Sequence, residues 1–179
     1  MQTYVALLYS IVLGAGRRVV MTDLRAMAAD IGLVTPRTLV ASGNLVFEAP
    51  GEPIAKLEAR LEAAFAQRFG RHVDIIVRDA PGWRRLVDAN PFRHEAEAAP
   101  TRVHVRIMRQ PLSGDASARL EPYLTQGERI AIALGDLWMH FEGLPGQSKL
   151  LPCLTPRRMG VGTTRNWNTV RRIGEMVAS

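Results

Sequence analysis

The amino-acid sequence predicts an α+β fold with two ferredoxin-like (plait) subdomains, the second irregular with extra C-terminal helices. Three observations lead to this prediction. The chain has 179 residues, of which 47% are hydrophobic and 22% charged, which is typical of a globular protein large enough for two small domains. Residues 1–80 place apolar runs and amphipathic segments in the order βαββαβ, which is the order of a plait. The residues that follow repeat this order imperfectly.

Residues 1–80 contain four apolar segments bounded by turn residues, as β-strands are. The predicted strands are Tyr4–Ser10, Arg37–Ala41, Leu45–Glu48 and Val73–Val77. The turn residues 42–44, Ser-Gly-Asn, join the second and third strands. This turn predicts a β-hairpin.

Two amphipathic segments of residues 1–80 predict helices that cover one face of the sheet. The first helix begins at Thr22-Asp23, a capping pair, and ends at Gly32. The second runs from Ile54 to Gly70 and places apolar residues at spacings of three and four. It is the clearest helical pattern in the chain.

Residues 81–179 form the second predicted subdomain, which begins after a turn signal at residues 79–82. Its predicted strands are Arg102–Met108, Arg129–Leu134 and Leu137–Phe141. Its predicted helices extend from about Gly82 to Ala89, Asp115 to Leu124, Ser148 to Met159 and Thr164 to Ala178. A helix is therefore expected where a last strand would complete the second plait.

The positive charge of the protein is concentrated near its C-terminus. The net charge is +6, and residues 145–179 carry six basic residues and one acidic residue. A basic segment of this kind favours an acidic partner. The expected partner is an anionic ligand, either a nucleic-acid phosphate or a phosphorylated metabolite.

Two predicted helix starts in this basic segment lack acidic residues. A helix N-terminus carries about half a positive charge, and an acidic residue there stabilises it by roughly 0.3–1 kcal/mol. Residues 146–150 and 163–169 offer hydroxyls, amides and cations instead. We expect these groups to hold an anion. The predicted anion-binding residues are Ser148, Lys149, Thr164, Arg165, Asn166 and Asn168.

The alternative interpretation of these residues is structural. In that case the hydroxyls are simple helix caps, Trp167 lies in the core and the basic side chains are solvated. Both interpretations use the same residues. The positions of the helix starts therefore decide between them.

Other motifs in the sequence assign no cofactor and no metal. Gly14 and Gly16 lack the third glycine of a dinucleotide-binding loop, and residues 143–150 lack the spacing of a phosphate-binding P-loop. The four histidines are scattered, with no cysteine partner nearby, so no metal site is predicted. The single cysteine, Cys153, lies among apolar residues and is expected in the core.

The N-terminal apolar stretch, residues 4–13, predicts a buried strand. It is shorter than the roughly 18 apolar residues that indicate a membrane span, and it lacks the basic region and cleavage site of a signal peptide. With one cysteine in the chain, an internal disulfide is impossible. We therefore expect a cytoplasmic protein without a membrane partner.

Several short motifs resemble, in order and spacing, a bacterial family known as domain-of-unknown-function family 1697. They are YVALL at the start, Met21 with Leu24-Arg25, SGNLVF at 42–47, NPF at 90–92, SKL at 148–150 and TTRNWNTV at 163–170. The resemblance covers the whole chain and implies two plait-like α+β subdomains, but no established activity. The family pattern Arg-Gly-Ile-Asn-Val-Gly is replaced here by residues 9–14. Tyr9 and Val12 stand in place of an arginine and an asparagine, which implies a change in what that loop binds.

Three functional hypotheses follow from the sequence. The first is an intracellular protein that binds an anion at residues 146–150 and 163–169. The second is an enzyme acting on a small phosphorylated or carboxylated substrate, with Ser148 or Lys149 near the chemistry and Arg165 positioning charge. The third is a structural or oligomeric interaction module, in which an exposed sheet edge pairs with another chain.

Overall fold

The computed structural model describes residues 1–178, which form two compact units. The first unit comprises Met1–Arg85 and the residues from Arg172 onward, and the second comprises Leu86–Arg171. Each unit combines an antiparallel four-stranded sheet with helices, so the predicted α+β class is confirmed. Residues 81–85 and those from 172 onward, which the sequence analysis assigns to the second subdomain, belong to the first unit in this division.

The first unit is built on a sheet whose central strands are almost fully buried. The strands of the first unit are β1 (Gln2–Leu8), β2 (Val12–Gly14), β3 (Arg17–Arg18), β4 (Val34–Leu39), β5 (Asn44–Ala49) and β6 (Ile75–Asp79). The sheet order is β4-β5-β1-β6, with all pairs antiparallel. The strands β2 and β3 form a separate two-stranded ribbon that the sequence analysis did not predict.

Two long helices connect the strands of the first unit, α1 (Met21–Asp30) and α2 (Ile54–Phe69). The helix α3 (Ala80–Asp88) follows its last strand. The helix α2 ends at Gly70, whose φ of 70° is the left-handed conformation that glycine adopts without strain. Its apolar stripe, including Leu57 and Phe65, packs with β1, β5 and β6 in one core.

The second unit has the same relative strand order but shorter helices. Its elements are α4 (Arg93–Ala98), β7 (Val103–Met108), α5 (Ala116–Leu120), β8 (Arg129–Ala133), β9 (Asp136–His140), α6 (Pro156–Met159), β10 (Gly162–Asn166) and the start of α7 (Trp167–Ala178). The sheet order is β10-β7-β9-β8. The last strand, β10, lies beside β7 as β6 lies beside β1 in the first unit. The strand β9 lies between β7 and β8, as β5 lies between β1 and β4.

The prediction of one helix from Ser148 to Met159 is wrong. This segment contains a 3-10 turn at Leu151–Cys153 and the four-residue helix α6. The reason is in the sequence, because proline lacks the N–H that a helix interior requires. Pro152 and Pro156 both lie in the segment, and each is found at the start of a short turn, where its missing N–H costs nothing.

The helix predicted from Thr164 begins three residues later, at Trp167, and a strand precedes it. Residues 162–166 pair with β7 as the antiparallel edge strand β10, with Arg165 opposite Val105. The expectation that a helix replaces the last strand is therefore wrong, because β10 completes the second sheet. Within residues 1–178, no helix has the length and apolar character needed to cross a membrane.

Candidate functional site

The predicted anion-binding residues lie in three different local environments. Thr164 and Arg165 are on the edge strand β10, Asn166 ends that strand directly before α7, Asn168 is in the first turn of α7, and Ser148 and Lys149 are in the loop before α6. No α-helix begins within residues 146–150, so the helix dipole that was expected to act there is absent. The pair of helix starts on which the prediction depended is reduced to one.

The side chain of Arg165 is buried and bonded to its own strand. It is 8% exposed, and its Nη1 donates to Thr163 Oγ1 at 2.7 Å and to the Thr164 carbonyl at 2.9 Å. Burial lowers the pKa of the Arg165 guanidinium to about 10, so it remains charged at neutral pH. These bonds hold the guanidinium within the sheet edge, where it supports β10.

The missing carboxylate at the start of α7 is replaced by an amide of the same chain. Asn166 Oδ1 accepts a hydrogen bond from the Thr169 backbone N–H at 3.0 Å, which is the geometry of a helix N-cap. Asn168, in the first turn, is half-buried and makes no side-chain hydrogen bond within residues 1–178. The capping interpretation therefore explains Asn166, while Asn168 stays available to a ligand.

Ser148 and Lys149 differ in their exposure. Ser148 is 7% exposed, and its Oγ accepts the Leu150 backbone N–H at 3.1 Å. It lines a cleft of about 180 Å³ that also contains the carboxylate of Glu128, which disfavours an anion there. Lys149 is exposed, and its backbone carbonyl accepts the Cys153 thiol at 3.3 Å.

Much of the positive charge of residues 145–178 is exposed and not neutralised. Five of its six basic side chains are solvent-exposed and have no carboxylate within ion-pairing distance in the described part of the chain. These are Lys149, Arg157, Arg158, Arg171 and Arg172. The basic character read from the sequence is therefore present at the surface, where it raises the local concentration of anions.

A pocket in the second unit brings together two arginines over an apolar floor. Its volume is about 270 Å³, and the side chains that line it come from α5, the turn after it, the loop before α6, and α6. They are Arg119, Leu120, Tyr123, Cys153, Arg158 and Met159. Leu120 and Met159 belong to the hydrophobic core of the second unit and form the apolar part of the wall.

The two arginines of this pocket are held in different ways. Arg158 donates to the Tyr123 hydroxyl at 3.0 Å, and its guanidinium carbon lies 5.5 Å from the centre of the Tyr123 ring. No carboxylate within residues 1–178 pairs with Arg158. Arg119 has an exposed partner in Asp115, with Nε and Oδ2 3.9 Å apart. Such an exposed pair contributes little, and the pocket keeps an excess of positive charge.

Asp115 is ionised at neutral pH. A hydrogen bond from Ser113 and the charge of Arg119 keep the pKa of the Asp115 carboxyl below its ordinary value. The pocket lining contains two guanidiniums and no carboxylate. An anion that enters can therefore exchange the Arg119–Asp115 contact for a direct one.

Sequence reasoning missed this pocket. Arg119 and Tyr123 are separated from Arg158 by more than 30 residues, and no short motif connects them. A helical spacing of four residues places Arg119 near Tyr123, which is the one local signal that was available. The third member, Arg158, is solvent-exposed, as the structural interpretation of the basic residues predicts, and it also contacts Tyr123.

The residues that depart from the family pattern lie at the surface of the first unit. Tyr9 and Val12 are 42% and 44% exposed, and Val12 begins β2. The backbone after them turns through Gly14, Ala15 and Gly16, all with positive φ. The loop therefore presents the side chains of Tyr9 and Val12 to solvent.

Comparisons with known proteins identify the family but assign no activity. A family model described as a protein of unknown function, DUF1697, matches residues 1–138. Among solved structures, the chain is similar to a conserved bacterial protein from Streptococcus pneumoniae, with 23% identity and a TM-score of 0.76. That alignment covers 100% of this chain and 99% of the other, and it shows a common fold. No curated protein matches the sequence.

Proposed function

The chain belongs to the DUF1697 family of proteins of unknown function, and on that premise we propose that it binds a small anionic molecule in the pocket of Arg119, Tyr123 and Arg158. The observation that carries this proposal is the pairing of two guanidiniums with an apolar floor. Ligand pockets typically combine a mainly apolar wall with a few polar groups that fix orientation. A ligand with one phosphate or carboxylate group and a compact apolar part fits both features.

The roles of the side chains follow from their chemistry. Arg158, held by Tyr123, offers a fixed planar donor to two oxygens of a phosphate or carboxylate. Arg119 provides the second charge, and Leu120 with Met159 contacts the apolar part of the ligand. The exposed cations Lys149 and Arg157 attract the anion from a distance but do not line the pocket.

The pocket favours a metabolite over a nucleic acid. Its volume of about 270 Å³ lies just below the range of sites for drug-sized molecules, so one small ligand fills it. Nucleic-acid binding would instead use the exposed cations of residues 145–178 along a surface, with a strong dependence on salt.

The proposal can be tested with phenyl phosphate, which carries one phosphate and one apolar ring. Titration followed by NMR should shift the amide signals around residues 119–123 and 153–158. Because a charge-assisted hydrogen bond contributes about 1.5–3 kcal/mol, Arg158→Ala and Arg119→Ala should each weaken binding about tenfold or more. Arg157→Ala is the matched control, since this exposed arginine is adjacent in sequence but outside the pocket.

Two other outcomes would relocate the site. Loss of binding in Asn168→Asp, with Arg158→Ala unaffected, would place the anion at the start of α7, because the new carboxylate would repel it. Preferential binding of a single-stranded oligonucleotide, weakened by Arg157→Ala and by salt, would indicate a nucleic-acid partner. Equal binding of phenyl phosphate by all variants would contradict the proposal.

At the level of fold, we propose that both units are ferredoxin-like plaits. Their strand orders, β4-β5-β1-β6 and β10-β7-β9-β8, are equivalent and antiparallel, which supports this assignment. In the second unit the connection from β9 to β10 consists of short turns and α6 in place of one regular helix. The proposed pocket is lined by this broken connection.

A further inference from the structure

The first unit contains a cluster of three potential metal ligands that is separate from the proposed anion pocket. Glu62 projects from α2, and His72 and Asp74 lie in the segment between α2 and β6. One potential ligand atom from each residue lies within 4.8 Å of the other two. An imidazole and two carboxylates are a ligand set that first-row transition metals accept.

The spacing between two of the ligands fits zinc. His72 Nε2 lies 3.3 Å from Asp74 Oδ1. Two ligands at about 2.0–2.1 Å from a tetrahedral zinc ion are themselves separated by about 3.3–3.4 Å. A carboxylate oxygen of Glu62, within 4.8 Å, needs to approach by about 1.5 Å or less to reach the same separation.

The backbone around the cluster is fixed by hydrogen bonds. Glu62 Oε1 accepts the Ile75 backbone N–H at 2.9 Å, and the Asp74 carbonyl accepts the Tyr9 backbone N–H at 2.9 Å. Between the two loop ligands, Val73 is buried in the core of the unit. These contacts hold the ligands on a rigid frame, as a metal site requires.

The solvent exposure of the cluster leaves room for a fourth ligand. The His72 side chain is 63% exposed and that of Asp74 is 29% exposed. Zinc sites with three protein ligands complete their coordination with a water molecule. An ion bound here would therefore keep one position open to solvent.

We propose that Glu62, His72 and Asp74 form a zinc-binding site in the first unit. This site was not predicted from the sequence, because ten residues and the end of a helix separate Glu62 from His72. It is independent of the anion pocket, which lies in the second unit. Imidazole makes Zn²⁺ a better fit than Mg²⁺, which prefers oxygen ligands and keeps several waters.

The test is zinc binding by the full chain without a histidine tag, measured by competition with a coloured chelator. All variants carry Cys153→Ala so that the thiol does not compete for the metal. We expect one zinc ion per chain, and an affinity at least tenfold lower in His72→Ala and in Asp74→Asn. His94→Ala is the matched control, because His94 is also exposed but lies on α4. It should bind zinc as the parent protein does.

Two further measurements separate a bound metal from a structural ion pair. Cobalt should give the intense visible absorption of tetrahedral coordination in the parent protein and not in His72→Ala. Zinc should raise the thermal unfolding midpoint of the parent protein and leave that of His72→Ala unchanged. Equal zinc affinity in both proteins, or no binding in either, would overturn the proposal and leave His72 and Asp74 as a surface ion pair.

Discussion

The two units share one strand order but differ in how their strands are connected. In the first unit, the helices α1 and α2 span ten and sixteen residues. In the second, the corresponding connections contain α5 and α6, of five and four residues, together with 3-10 turns. Regular helices supply a continuous apolar stripe, whereas short pieces leave polar and charged side chains beside the core.

The pockets of the two units reflect this difference. In the first unit, a depression of about 450 Å³ between α1 and α2 contains Arg68, which pairs with Asp23 and Asp30 of the same unit. In the second, Arg158 has no carboxylate partner within residues 1–178. The arginine of the first depression is therefore neutralised within its own unit, while Arg158 in the second unit keeps its charge for a ligand.

The largest expected difference concerns the two cores. Leu57 of α2 is fully buried, and Leu57→Ala should lower the free energy of unfolding by about 3–5 kcal/mol. Leu120 of α5 is also buried but borders the pocket, which lets its surroundings adjust to the space left by Leu120→Ala, so the cost should be about 2–3 kcal/mol. Urea denaturation measures both values. A larger loss from Leu120→Ala than from Leu57→Ala would show that the neighbouring pocket does not reduce the cost of truncation.

The second expected difference between the two units is in how acid affects their stability. Burial lowers the pKa of His104 in the second unit to about 4 from the ordinary 6.5. Between these values the unfolded chain binds a proton that the folded chain does not. The free energy of unfolding should therefore fall as the pH decreases from 6.5 to 4, by up to about 3 kcal/mol.

Unfolding measured across this pH range identifies the residue responsible. His104→Gln should reduce the slope, because glutamine does not titrate. The first unit has one histidine, His72, which is exposed, and His72→Gln should retain the slope in the presence of a chelator. An unchanged slope in His104→Gln would show that other groups cause the acid sensitivity.

A smaller effect tests where α7 begins. Asn166 caps this helix, so Asn166→Ala should lower the free energy of unfolding by about 1 kcal/mol. Asn166→Asp should retain stability, because aspartate is an equally good cap and its charge favours the helix dipole. Thr164→Ala is the control, since Thr164 lies on β10. If Thr164→Ala costs more than Asn166→Ala, the helix begins where the sequence analysis placed it.

The smallest effect concerns the β8–β9 hairpin of the second unit. Leu134 has a φ of 52°, which is unfavourable for leucine, and its side chain is 67% exposed. Leu134→Asn should raise the free energy of unfolding by about 0.5–1 kcal/mol, because Asn-Gly suits such a turn. Leu144 is 69% exposed but has a φ of −76°, so Leu144→Asn should give no gain. Thermal unfolding of both variants distinguishes strain relief from the removal of an exposed apolar group.

Much of the candidate site could not be predicted from sequence. The sequence predicts the basic character of residues 145–178, and five of the six cations in this segment are exposed. The sequence does not predict the contact between Arg158 and Tyr123, because 35 residues separate them. It also does not predict the burial of Arg165, because that burial depends on the strand β10. The prolines at 152 and 156 are a local signal against a helix over residues 148–159.

The sequence by itself determined the local elements of this protein. The helix α2 with its end at Gly70 and the turn at Gly135 are encoded by neighbours within a few positions, because helical and turn hydrogen bonds join residues three or four apart. Only the tertiary structure decided that residues 162–166 form a strand. Their hydrogen-bond partners are in β7, more than 50 residues earlier, and no local pattern records a partner at that distance.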